Sequence, residues 1–525
     1  MNQAEVKRKQ IQFYSYAVCM IVLLYFGHIL GSNGLAYFMV GFVAVSFFLQ
    51  FISGAASDAV GRMLRFRRKR ELYMNAYVVR KRMRIVFLVI SIVSFLLLFL
   101  LAQVLAHKVF EVPNAELIIR ILSVVILLRM LVSFWQGYFQ SFGSQLQTMC
   151  GCMLRPAFYF IFGNAFCKKR LEYGVKVAAL LKNDDFEGLY AAIGLAEAVV
   201  ITELIIFAVM LAFYFISDRK SDKSKSKDGR QSLESSGETI SAFGRLAGPG
   251  ILIGLLGYFW LAAWVALLDG KEQIGVFCGM FMVLMTFAAM LIGARYYLIY
   301  AKTLHAVKGE HNRHIRDMVQ MGLKYAWCYG ILSCMLTAVL APQISHTFFD
   351  GNTAVVGLLQ KGSLLLPAVM LLVYWIMIHA IHKKYLIVLA TLVGDVALFI
   401  LLAAFMKGRM EDNSMAAVVY AGIIALAVAC VVLGMITVNK YRLQIEYIIT
   451  FVLPLACVGM VGLVLMAATK LLTPHIGNEV CFYVCVILGY VIYLVLLAVC
   501  RIFTDQDINH IYGKIGRKIL SVIFK

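Results

Sequence analysis

Four ionisable side chains fall near the middle of long apolar segments of this sequence: Arg129, Arg155, Glu203 and Asp395. Charge at bilayer depth is costly, so such residues face a cavity, a substrate path or a partner. The two arginines offer planar, multidentate donors to a phosphate or pyrophosphate crossing a membrane. The two carboxylates could keep an empty site neutral or exchange a coupling ion. Ion pairing between neighbouring helices, Arg129 or Arg155 with Glu203, accounts for the same residues without any transport, and the sequence leaves both readings open. Arg120, His28 and Glu197 lie near the outer ends of their segments and Asp58 and Arg295 near inner ends, where a side chain can snorkel to the interface. Arg120 and Arg129 are nine residues apart, which at about 100° per residue puts them on opposite helix faces.

Other chemistry is missing. There is no Walker A loop, GxSxG elbow or HExxH, and Gly248-x-Gly250 with Gly254 fails the dinucleotide spacing. Neither ATP hydrolysis nor a catalytic residue is expected, and the chain reads as a transporter rather than an enzyme, with no cofactor or metal called for. The 12 cysteines fall mostly inside apolar stretches without a CxxC pair and read as reduced packing residues. His311-x-x-His314 and His379-x-x-His382 read as solvated or headgroup-facing rather than as ligands.

The elements that must position these residues follow from composition. Hydrophobic residues make up 62% of the 525 and charged ones 15%, which excludes an ordinary soluble enzyme. Fourteen segments reach the roughly 20 mainly apolar residues that cross a bilayer, the first at 11–31 and the last at 479–502. Arg129, Arg155 and Glu203 sit on the fourth, fifth and sixth, Arg295 on the eighth and Asp395 on the eleventh. Loops on the side of the termini hold 35 of the 49 Lys and Arg and the opposite loops 11, so both termini are expected in the cytoplasm. The net charge of +21 is then a topological bias rather than a sign of a nucleic-acid partner. Loop 167–190 dissents, since Lys168, Lys169, Arg170, Lys176 and Lys182 would be external.

The expected organisation is an all-α integral membrane protein with an N-lobe over 1–216, a charged low-complexity linker over 217–244 and a C-lobe over 245–438. Two further spans occupy 439–502, and an amphipathic cytoplasmic tail 503–525 lies on anionic membrane lipid. In AGPGILIG, Pro249 between Gly248 and Gly250 removes a helix hydrogen bond and marks a hinge near the start of the seventh span.

Several segments resemble a known family. The run 275–351, GVFCGMF to SHTFFDG, is similar to the eighth and ninth spans of bacterial polysaccharide exporters, with a "KGE" turn and a basic segment between them. LVSFWQGYFQSFGSQLQ (131–147) and FTDQDINHI near the end are similar too. The resemblance is to the multidrug/oligosaccharidyl-lipid/polysaccharide (MOP) exporter superfamily, in the branch of polysaccharide flippases and stage V sporulation protein B. It implies two six-helix lobes, two extra C-terminal spans, and alternating access that flips a lipid-linked saccharide across the bacterial cytoplasmic membrane, alongside cell-envelope glycosyltransferases. A cation-coupled multidrug antiporter of the same fold is the alternative. Lipid II flippases of this superfamily carry cavity arginines on the first, second and eighth spans. Here the first two spans hold no arginine at membrane depth, and Arg295 alone has a comparable place, so Arg129, Arg155 and Arg295 form the expected substrate-binding set, with Glu203 and Asp395 for charge balance or coupling.

Overall fold

The computed structural model describes residues 3–51, 54–218, 233–308, 312–410, 414–443, 445–504 and 507. Half of the 217–244 linker (219–232) and most of the 503–525 tail, with its expected amphipathic helix, lie outside the described residues, as does His311, while 236–244 already belong to a helix. Among the described residues every regular element is helical. The first half of the chain holds α1 (Gln3–Gln50), α2 (Gly54–Lys69), α3 (Tyr73–Val104), α4 (Glu116–Ser141), α5 (Leu146–Leu181), α6 (Asp185–Asp218) and α7 (Ser236–Ala266). The second holds α8 (Gly270–Ile274), α9 (Met282–Lys308), α10 (Asn312–Val339), α11 (Ala341–Phe348), α12 (Thr353–Gly362), α13 (Leu365–Ile381), α14 (Tyr385–Lys407), α15 (Ser414–Tyr441) and α16 (Leu453–Val499).

Among the described residues nine helical runs are long and apolar enough to cross a membrane, or eleven when two bent pairs each count as one span. Two of the runs are too long for a single crossing: Ala4–Lys69 has 66 residues and Ile448–Val499 has 52, against roughly 20 required. Each contains a glycine with left-handed φ, Gly31 at 61° and Gly477 at 75°, a conformation that a side chain disfavours. The second run folds back on itself, since the Cys457 and Cys500 sulfurs, 43 residues apart in sequence, are 3.7 Å apart in space. Helix α5 carries Arg155, Lys168, Lys169 and Arg170; it packs along α6 and is not among those runs.

Helices run further than the apolar segments that announced them. The basic stretch 59–84 is the end of α2 and the start of α3, separated by a short turn after Lys69. Helix α5 likewise continues to Leu181 through four of the five basic residues that stood out in 167–190, with Lys182 as its C-cap. Lys and Arg are good helix formers, so hydropathy marks the membrane portion of a helix and not its ends. Helix α7 is one continuous helix with Pro249 inside it.

Packing divides the chain into two compact units, Ile29–Gly279 and Met1–His28 with Met280–Lys525. The boundaries fall beside Gly31 and just before α9, so the segment before Gly31 packs with the second half of the sequence and α7 with the first. Within the Ile29–Gly279 unit, α7 meets α2 through Gly250, where an added Cβ would lie 2.6 Å from that of Ala55. Helices α5 and α6 form the tightest seam. A Cβ at Gly194 would come within 2.6 Å of the Phe166 carbonyl oxygen and 2.9 Å of the Cys167 Cα. Backbone cannot yield there as a side chain can. Gly194→Val should therefore destabilise the unit by about 1–3 kcal/mol, read as a lowered denaturation temperature of the detergent-solubilised chain; an unchanged temperature would contradict this close approach.

Candidate functional site

The α5–α6 seam, with α4 beside it, holds the buried charges. Glu203 on α6 has no solvent exposure, Arg155 on α5 is 6% exposed in its side chain, and Arg129 on α4 is 24% exposed. Arg155 donates from Nε to Glu203 Oε1 at 2.8 Å and from Nη2 to Oε2 at 3.2 Å, a two-point grip on the carboxylate. Arg129 donates from Nε to the same Oε1 at 2.9 Å. Tyr159 completes the group: its hydroxyl donates to Glu203 Oε1 at 2.6 Å and accepts from Arg129 Nη2 at 3.0 Å.

Three of the residues read from sequence thus come together, and the pairing of both arginines with Glu203 is the arrangement observed. Tyr159 was missed. It stands four residues after Arg155 and hence on the same face of α5, the one signal by which it could have been found. The stoichiometry matters, because two guanidiniums share one carboxylate and leave the cluster with one net positive charge. Glu203 could not stay ionised with no solvent around it unless the surrounding donors replaced its hydration. Arg129 is the partly exposed member.

Arg295 and Asp395 belong to the other unit. Arg295 is half-buried on α9. Asp395 on α14 is buried, and its Oδ1 has no hydrogen-bond partner among the described residues. Charges read near span ends are paired: Arg120 with Glu116 at 2.6 Å, Glu197 with Arg170, and His28 through Nδ1 with Asp350 at 2.8 Å and through Nε2 with the Thr347 carbonyl at 2.7 Å, more than 300 residues away in sequence. His379, expected to be solvated, is instead buried and bonded to Thr437 Oγ1 at 3.1 Å. The span carrying it packs against α15 to its end. Gly248 has open space around its Cβ position, and Gly250 abuts Ala55.

Solved structures share this fold. A multidrug resistance MATE family transporter of the MOP superfamily, inward-facing, superposes at a TM-score of 0.66 with 13% identity, over 84% of this chain and 99% of that one. The lipid II flippase MurJ, in an inward closed conformation, does so at 0.63 with 13% identity, over 93% and 97%. A MOP superfamily transporter from Pyrococcus furiosus, described as having a binding pocket of reverse polarity, matches at 0.54 with 13% identity, over 84% and 99%. No family model and no curated relative matches the sequence. The likeness establishes the fold, that of MOP superfamily transporters, and with the apolar helices it makes the chain a multi-pass membrane protein.

Removing the carboxylate would strand two guanidiniums in a buried site. Glu203→Gln should cost about 3–5 kcal/mol and Tyr159→Phe about 1 kcal/mol, both read by thermal denaturation in detergent. A Glu203→Gln chain as stable as the parent would show that the cluster is not the buried ion network described.

Proposed function

We propose that this chain, built on the fold of MOP superfamily transporters, is a flippase that moves a lipid-linked saccharide precursor across the cytoplasmic membrane by alternating access. One observation carries the reading: at mid-depth the Arg129–Arg155–Glu203–Tyr159 cluster keeps one positive charge, with Arg129 as its partly exposed member. A carrier lipid presents its saccharide on a phosphate or pyrophosphate, and a fixed guanidinium matches such an oxyanion. Glu203 and Tyr159 hold Arg129 in place, so its donors need no reorganisation when the anion arrives.

The extent of the structural match supports the same reading. The match to the lipid II flippase covers 93% of this chain and that to the multidrug transporter 84%, a difference close to the size of the run Ile448–Val499. In this proposal the Gly248–Pro249–Gly250 stretch gives α7 the compliance that rocking demands. The bias of Lys and Arg to alternate loops goes with both termini in the cytoplasm. Cell-envelope glycosyltransferases make the cargo.

A second reading rests on Asp395. A buried carboxylate with one oxygen unpartnered among the described residues is a candidate proton or cation carrier, as a coupled antiporter of small molecules requires. The two readings separate in proteoliposomes. Flipping of a fluorescent lipid-linked oligosaccharide should fall about tenfold or more in Arg129→Ala, the loss expected when one charge-assisted hydrogen bond of about 1.5–3 kcal/mol is removed, with no dye extrusion on a pH jump. Dye extrusion that disappears in Asp395→Asn, with no lipid flipping, would replace the flippase by the antiporter.

A further inference from the structure

Two neighbouring helices of the other unit, α13 and α15, finish side by side, and both finish in basic residues. Their contacts climb the two chains in step. The Cys430 thiol donates to the Ala368 carbonyl at 3.0 Å, a Cβ on Gly434 would lie 3.3 Å from Trp375 Nε1, and His379 meets Thr437 Oγ1 at 3.1 Å. The helices are therefore parallel, and their C-termini reach one level together.

Each then stops in the same way. The Lys384 amide bonds back to the His379 carbonyl, and the Leu443 amide to that of Val438. The residue that turns the chain is left-handed in both, Lys383 at φ 56° and Arg442 at φ 47°. This ending commonly employs glycine; here it sets a basic side chain at each helix end. The two terminal stretches, HAIHKK (379–384) and TVNKYR (437–442), contain Lys383, Lys384, Lys440 and Arg442 and no acidic residue.

These four side chains are exposed. Those of Lys383, Lys384 and Arg442 have no hydrogen bond or ion pair among the described residues. His382 adds no charge at pH 7, since burial, then Lys440, His379 and Lys384, push its imidazole down to about 4. A helix C-terminus carries about half a negative charge, so two of them offset roughly one cation. Even with Lys440 set aside, a surplus of about two positive charges remains. Next to it the exposed surface is apolar: Leu386 is 82% and Val393 54% exposed on α14, and Met435 62% and Val431 53% on α15. Free cations beside exposed apolar side chains match a molecule with an anionic head and hydrocarbon tails, whereas a soluble anion would use the cations alone. We propose that Lys383, Lys384 and Arg442, with Lys440 adding to their field, seat the phosphate of an anionic phospholipid whose acyl chains lie on the exposed faces of α14 and α15.

The test is native mass spectrometry of the full-length chain from neutral detergent, offered phosphatidylglycerol and phosphatidylcholine of matched acyl chains in equal amounts. The parent should retain the anionic lipid over the zwitterionic one by about tenfold or more, and by less as the ionic strength rises. Lys383→Gln with Lys384→Gln and Arg442→Gln should abolish that preference. Lys168→Gln with Lys169→Gln and Lys176→Gln, which removes the same charge from the other unit, should keep it. On the unaltered chain in nanodiscs, phosphatidylglycerol should slow hydrogen exchange in 380–387 and 437–443 relative to phosphatidylcholine, a readout that needs no variant. No lipid preference in the parent, equal losses in the two triple variants, or protection confined to other segments would overturn the proposal. Because the readout is lipid retention alone, it stands apart from the flippase reading: a chain that holds the anionic lipid but flips no saccharide would sink that reading and leave the seat.

Discussion

A carboxylate with no solvent exposure sits among the helices of the Ile29–Gly279 unit, and the donors around it stand where water would otherwise be. Glu203 takes two bonds from Arg155, one from Arg129 and one from Tyr159. Water would have supplied this hydration; here α4 and α5 supply it to the carboxylate on α6. That requirement fixes the rotation of α4, α5 and α6 about their axes and makes the close α5–α6 seam necessary. Because two arginines serve one acid, the same arrangement that makes the charge tolerable leaves a positive excess.

A buried ion network can often be replaced by apolar residues without loss of stability, so the arrangement fits a structural as well as a binding role. Arg129 is partly exposed, while Arg155 is enclosed.

Much of this was legible in the sequence, since apolar length alone gives the helices, their number and the residues out of place among them. Arg129, Arg155 and Glu203 could be picked out because nothing else explains charge at that depth. Tyr159 could not, as a tyrosine in an apolar helix is unremarkable until its hydroxyl is seen between Arg129 and Glu203. The expected loop at 167–190 is instead largely helix, because basic residues end hydropathy without ending helices. His379 was misread for a related reason: burial at the end of a span depends on the neighbour, here Thr437 of α15, and no local pattern carries that. The division of the chain beside Gly31 and at Gly279 is likewise a property of packing between distant segments.

The central claim is that Arg129 presents the cluster's net charge to a lipid-borne phosphate. Native mass spectrometry of the chain with a short prenyl diphosphate and with the matching prenol measures this most directly. The account predicts that the diphosphate remains bound to the parent chain, that the prenol does not, and that Arg129→Gln loses the diphosphate while keeping its folded mass envelope. Equal retention of diphosphate by the parent and by Arg129→Gln, or equal retention of the prenol, would contradict it.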